Sequence, residues 1–573
     1  MKTISSLCLL FFGAAACAAG SANAEQAQKT LTGVYYFPGW YRTGGTVPKS
    51  PYDRGSDFSE WRGCIAKAAT PRPLCGFYDD SDPRLWDYYV RWMTSHGIDF
   101  ISFDWYYNDG ADYIYESLDR GFLHAERNTE IQFCIHWCNH GGYWWHKPLN
   151  QSKDALVNMV DIMSARYFHR PNYLKIDDKP VLMIYDIDTL LGFGGVEGVR
   201  SGIEAMRERA RKNGHKGLYM VVVYSGTNGD YIRMLENLGF DAFCAYTYAW
   251  MRAPRVRWDS KVVPYNELSE YVSGSVYPHL ARVSKSKGIA YWPTTFSGWD
   301  DRPRAGLENG IVLIDNTPEH FGKLFSNALK HVNPVSPVVM VEAWNEWGEG
   351  ANIEPSKEHG FGYLQEIAKA LGITETDQRL PSDEEIRSWS ILDDDELAEA
   401  RENESKPWPT KEVIRYNVGE SFDVPDVKMP VVFDFSDGGV ELDDLVITQM
   451  DLMERTSEGM LLETTGGDPG VVLTNLRIPT RQVKRIIIEM DILDREPGYW
   501  APGFEVFWTT GLMPEFSPFC SSALPVGKDG RIELRTDEMM EWVETGTPLT
   551  SLRVDTGYSA GIGLKLKRVI LED

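Results

Sequence analysis

The chain of 573 residues is short of basic charge: 58 Lys and Arg stand against 83 Asp and Glu, a formal net charge of −25. No basic stripe offsets that excess, so a nucleic-acid backbone or an anionic lipid surface would be repelled, and neither is expected as a partner. Cysteine is sparse as well. Of 8 residues, Cys8 and Cys17 fall in the first two dozen positions, leaving Cys64, Cys75, Cys134, Cys138, Cys244 and Cys520. These six form no Cys-x-x-Cys pairs of the zinc type, so no metal is expected. Cys64 and Cys75 flank a proline-containing loop and are the pair expected to form a disulfide in an oxidising compartment. After the opening apolar stretch no run approaches the ~20 residues that cross a bilayer, which excludes a transmembrane helix. No Gly-rich phosphate loop follows the first strand-like run, and no cofactor is expected.

What is present begins with a leader. Met1-Lys2 is a minimal charged start, Leu7 to Ala18 is apolar, and Ala22-Asn23-Ala24 offers a small-residue cleavage site before Glu25. Residues 1–24 therefore read as a signal peptide, and the protein as secreted or periplasmic. Ala14-Ala-Ala-Cys17 weakly resembles a lipoprotein box, which makes a lipid anchor at Cys17 the alternative. Aromatic residues reach 12%, with 19 Trp and 28 Tyr, many beside polar residues at the ends of apolar runs. That pairing suits carbohydrate, whose C–H faces stack on rings while its hydroxyls need polar partners.

Between residues 25 and 375, strand-like runs alternate with helical ones. The strands are expected at Gly33–Phe37, Ile98–Asp104, Ile131–Trp137, Pro180–Tyr185, Leu218–Tyr224, Phe240–Tyr246, Ile289–Thr295 and Pro337–Trp344. They are continuous apolar stretches, as in parallel strands covered by helices. Ser81-Asp82-Pro83 and Thr317-Pro318 open helices whose inward faces are Leu85, Trp86, Tyr89, Val90 and Met93, and Phe321, Leu324, Phe325, Ala328 and Leu329. Eight such units predict an α/β fold, the (β/α)8 TIM barrel, with a doubly wound open sheet as the alternative. Residues 376–410 are acidic and read as a linker with short helices, Ser382-x-x-Glu385 being a capping box. Residues 411–573 carry alternating strands and turns, the pattern of an all-β sandwich, in which Trp500, Trp508 and Trp542 are either core or a sugar platform.

The last barrel strand ends in Glu342-Ala-Trp344-Asn345-Glu346-Trp-Gly-Glu349-Gly. Two carboxylates three positions apart, between tryptophans and at a strand end, match what glycosidic bond cleavage needs: two carboxyl groups in different protonation states. A solvated surface pair is the plain alternative, but a surface loop has little use for Trp344 and Trp347. In a barrel the active site lies at the C-terminal rim. The other strand ends place Tyr36, Trp40, Asp104, Trp105, His136, Trp137, Tyr185, Tyr246, Tyr248, Trp299 and Asp300 there, with Trp344 and Asn345 beside the glutamates, as candidate substrate contacts. Each alone is as well explained by packing; polar aromatic ends on every strand are not.

In order, Val34-Tyr-Tyr-Phe-Pro38, Tyr78-Asp-Asp-Ser-Asp82-Pro, Gly97-Ile-Asp-Phe-Ile-Ser-Phe-Asp104-Trp-Tyr, Tyr173 to Tyr185, Gly298-Trp-Asp300, Asn345-Glu346-Trp-Gly-Glu349-Gly and Ile353-Glu354-Pro355 form a pattern. From about Thr32 to Leu371 the chain resembles glycoside hydrolase family 99 and the related WbsX-like domains. The resemblance implies a retaining hydrolase of α-mannoside-type linkages. Glu346 would be the base that deprotonates the sugar 2-hydroxyl, and Glu349 the acid/base at the leaving group. Gly348 departs from the histidine usual in those hydrolases, and Ala351-Asn352 from their Thr-Gln. The competing expectations are a WbsX-like glycosyltransferase in polysaccharide synthesis and a non-catalytic glycan-binding protein. The first lacks a visible Gly-rich diphosphate cradle, and the second has no need of both glutamates.

Overall fold

The computed structural model describes residues 29–40, 61, 65–68, 71–139, 149–406, 408–416, 424–493, 504–511, 513–517, 520–523, 530–540, 542, 548–556 and 560–573. The expected signal peptide, Cys17, Cys64 and Trp500 lie outside the described residues. Cys75, the other half of the expected disulfide, is a buried free thiol.

All eight anticipated strands are present and parallel. They are β1 (Leu31–Tyr36), β2 (Phe100–Asn108), β3 (Gln132–Trp137), β4 (Lys179–Ile184), β5 (Tyr219–Val223), β6 (Ala242–Cys244), β7 (Ala290–Trp292) with β8 (Thr294–Phe296), and β9 (Val338–Glu342). The seventh pass is two short strands because Pro293 has no N–H to give the ladder. β7 pairs with β6 and β8 with β9, while β9 pairs with β1, so the ring closes through that proline. This is the (β/α)8 barrel. Strands β1, β2, β5 and β9 are buried along nearly their whole length, which is why their sequences are unbroken apolar runs. Gly33 is required by packing: a Cβ there would lie 2.1 Å from the Phe100 ring on the neighbouring strand.

The outer helices start where their caps predict. Asp82 accepts from the Arg84 N–H to cap Pro83–Ser95, and Thr317 accepts from His320 to cap Pro318–Ala328. Their inward apolar residues are buried as expected, with Leu329 half-buried. Among the described residues no helix is long and apolar enough to cross a membrane. The acidic segment forms two helices, Asp383–Trp389 and Asp394–Glu404, each opened by a capping box. It is docked on the barrel rather than spanning free space: Trp389 is fully buried, and the Asp79 and Ile391 amides donate to the Trp389 and Phe77 carbonyls at 2.9 Å each.

Beyond it, strands between Val431 and Glu572 form two antiparallel sheets that share one apolar core, a β-sandwich. Trp508 and Trp542 meet inside that core at 5.3 Å, so packing claims both.

The glutamate motif follows β9 directly. Asn345–Glu346 pairs antiparallel with Ala351–Asn352, and the hairpin is nailed down by Glu354. Tyr78 and Tyr89 hydroxyls donate to this carboxyl at 2.7 and 2.6 Å, and the Trp347 indole donates at 2.9 Å. Burial lifts the Glu354 pKa from 4.5 to about 7, with the three donors pulling partly the other way. The fold therefore favours the protonated form, so this contribution to stability is complete below about pH 4.5 and lost as pH rises through about 7. Glu354→Gln removes that titration. Calorimetry across this window is expected to show a wild-type Tm that declines with pH relative to the variant; parallel curves would refute the assignment.

Candidate active site

Glu346 and Glu349 face one another across a single arginine. Arg304 donates through Nη1 to Glu349 Oε1 at 2.8 Å and through Nη2 to Glu346 Oε2 at 3.0 Å. Arg304 sits on the short helix Arg302–Ala305, after the turn that follows β8, and its guanidinium lies over the Phe37 ring at 5.4 Å. All three side chains are mostly enclosed, at 13% exposure for Arg304, 6% for Glu346 and 18% for Glu349. In so dry a setting the fork is far stronger than a surface ion pair. It also explains Gly348: a Cβ there would lie 2.5 Å from Arg304 Nε.

Tyr246 completes the grip by donating from its hydroxyl to Glu349 Oε2 at 3.0 Å. Burial, and then the charges of Glu346 and Glu349, push its hydroxyl pKa well up, so it remains a phenol and a donor. A third carboxyl belongs to the same place. Glu342, the last residue of β9, is wholly buried, beside the Thr247 hydroxyl. Burial first and the Glu349 charge second raise its pKa well above the usual range, which favours the neutral acid.

Several predicted contacts converge on this centre. His136 Nδ1 pairs with Asp104 Oδ1 at 2.9 Å, both buried, and the His136 ring lies 5.6 Å from Tyr185, which lies 5.6 Å from Tyr246. Trp299 meets Trp250 edge-on at 5.4 Å, and Trp250 reaches Tyr246 at 6.1 Å. Asp300 is held by Arg302 through two bonds of 2.7 and 2.6 Å, and its amide donates to the Glu349 carbonyl.

Others are taken up by the scaffold. Asn345 bonds both the N–H and the C=O of Phe37, at 3.0 and 2.8 Å, tying the motif to the end of β1. Trp344 is buried against Tyr89, Trp40 against Trp61, Tyr36 between Trp86 and Phe103, and Trp105 on Tyr107. Trp137 donates to the Tyr107 carbonyl, and Tyr248 bonds Tyr291. Arg304, Glu342 and Trp250 are not among the predicted contacts, although Glu342 opens the glutamate motif, Trp250 lies two residues past Tyr248 and Arg304 four past Asp300.

Among the described residues one group could hold a metal ion, Asp104, His136 and Cys138. The fit is poor. His136 Nδ1 is engaged by Asp104, and burial, then the Asp104 charge, drive the Cys138 thiol pKa well up, away from the thiolate a metal requires.

The endo-α-mannosidase of family GH99 from Bacteroides thetaiotaomicron aligns over 60% of this chain and 98% of its own, with a TM-score of 0.43 and 15% identity. The uncharacterized protein WxcX of Xanthomonas campestris pv. campestris (strain B100) is 24% identical over 365 residues, 59% of this chain and 49% of its own. A second strain's WxcX matches to the same extent, so the chain spans about half the length of the curated relatives it matches. Residues 55–367, more than half of the chain, match the family described as Glycosyltransferase WbsX. That region runs from before the second barrel strand past the last and includes the carboxylate pair, and the chain belongs to the WbsX family.

Proposed function

We propose that this protein is an exported glycoside hydrolase that cleaves α-linked, mannoside-type glycans with retention of configuration. The observation that supports it is the pair Glu346 and Glu349, bound to one arginine and surrounded by Tyr185, Tyr246, Trp250 and Trp299 at a barrel mouth.

In the mechanism, Glu346 takes the proton of the sugar 2-hydroxyl as that oxygen attacks C1. Glu349 delivers a proton to the departing glycosidic oxygen, giving a 1,2-anhydro sugar and a free chain end. Glu349 then takes a proton from water, whose oxygen attacks C1, and Glu346 returns its proton to O2. Two inversions leave the configuration as it began. At rest both glutamates accept from Arg304, so Glu349 must be released from the guanidinium as the sugar binds and take up a proton from solvent before it delivers one to the leaving oxygen. Arg304 thereby presets the spacing of the pair and is a positioning residue; Tyr246 remains to orient Glu349.

Glycosyl transfer is the second reading, favoured by the description of the family. It uses the same carboxylates but consumes an activated donor.

Glu349→Gln tests the proposal. Wild type should release reducing sugar from α-mannan with no nucleotide present, and the variant should lose at least about a hundredfold of that rate, the usual scale for general acid–base catalysis. Release only when a nucleotide-sugar is added would replace hydrolysis by transfer, and equal behaviour of both proteins would remove catalysis from the site. Arg304→Ala should lower kcat by roughly a hundredfold, the scale of misplacing a reacting group by about an ångström. Gly348→Ala should lower kcat in the same direction by displacing that side chain. A Gly348→Ala enzyme with unchanged kcat would show that the arginine does not set the geometry.

A further inference from the structure

A cleft of about 470 Å³ lies between the barrel mouth and the sandwich. Asp188, Trp250, Trp258 and Lys261 line it from the barrel, and Glu505 and Ser522 from the sandwich. Its size is that of an ordinary ligand site, and junctions between domains are where such sites concentrate.

The junction is built rather than incidental. The helix Gly229–Leu238 runs into the sandwich with its first turn. The Asn228 amide donates to the Ser522 hydroxyl, and Asp230 Oδ2 accepts from the Arg535 N–H at 3.0 Å. Lys287 and Glu538 pair at 2.7 Å with 6% and 11% exposure. Gly229 must lack a side chain, since a Cβ would meet Glu538 Oε2 at 2.8 Å. The sandwich wall of the cleft is therefore fixed relative to the glutamate pair.

Its chemistry is that of a sugar site. Trp250 is 39% exposed, in a protein that buries most of its large aromatics completely, and it stands one ring away from the centre through Tyr246. Exposing that indole beside a cleft makes sense as a platform for a sugar face. Around it, Asp188 and Glu505 accept hydroxyl protons, Lys261 donates, and Ser522 can do either. Asp188 already accepts from Tyr231 at 2.6 Å, which holds one oxygen in place and leaves the other for a ligand. The second cation here, Arg252, is spent on the carbonyls of Trp250, Met251 and Ser260. Two carboxylates against one lysine that forms no ion pair among the described residues favour a neutral ligand over an acidic polymer.

The geometry points to a second carbohydrate-binding region in this cleft, shared by barrel and sandwich, which holds neutral sugars of the chain beyond those at the scissile bond. It rests on the reading that the protein acts on glycans, and it makes the substrate a chain rather than a single glycoside.

The full-length Glu349→Gln protein, which should bind without cleaving, is run in native gels containing α-mannan or polygalacturonate. Retardation by α-mannan and not by polygalacturonate is expected. Adding Trp250→Ala or, independently, Lys261→Ala should weaken binding about fivefold or more, the scale of losing one anchor of an interface. The second variant alters one surface side chain, so a folding defect in the first does not decide the matter. No retardation by α-mannan, equal retardation by polygalacturonate, or unchanged affinity in both variants would overturn the proposal. If wild type releases no sugar but retardation still depends on Trp250, the cleft stands and hydrolysis falls. If release depends on Glu349 but binding ignores Trp250 and Lys261, the reverse holds.

Discussion

One guanidinium organises the centre of this protein. Arg304 is the group through which the two glutamates are held together, and everything nearby makes room for it: a missing side chain at Gly348, a ring face at Phe37, and the turn at Asp300-Asp301 that sets its helix. Two carboxylates at such close quarters repel, and the charge between them is what makes the spacing affordable. Close by, Glu342 contributes a third carboxyl that burial and the neighbouring charge of Glu349 drive toward the neutral form. Three acids in one place then differ in environment, the condition under which similar groups take different roles.

The scaffold for this arrangement is a chain of fastenings along the last strand. Asn345 ties the motif to β1, Trp347 ties it to Glu354, and Glu354 is tied in turn to the first outer helix through Tyr89. The tryptophans that make the motif conspicuous thus act mainly as spacers and anchors. The surfaces open to a ligand come from elsewhere, above all Trp250 and the wall supplied by the sandwich.

Much of the fold was legible because its signals are local. Each barrel strand is a buried run with few polar interruptions, and each helix named by its cap begins at that cap. Position on a strand end tells which residues can reach the mouth, and Tyr246, His136, Asp104 and Trp299 cluster toward the glutamate pair. It could not tell which way a ring turns. Tyr36, Trp40 and Trp344 sit in the right places in the chain and are absorbed by packing against Trp86, Trp61 and Tyr89. Arg304 was missed for the opposite reason: an arginine in an ordinary Arg-Pro-Arg turn becomes central only when a turn 45 residues further on is folded over it. The seventh strand was read as one piece because Pro293 interrupts a ladder and not a hydrophobic run.

Steric exclusion at one backbone position has a consequence for descent. No side chain can occupy position 348 while a guanidinium fills the same volume, so the two sites are not free to drift separately. A side chain at position 348 would have to push the guanidinium from the place it holds here, and residues 304 and 348 should be found to change together across the lineage.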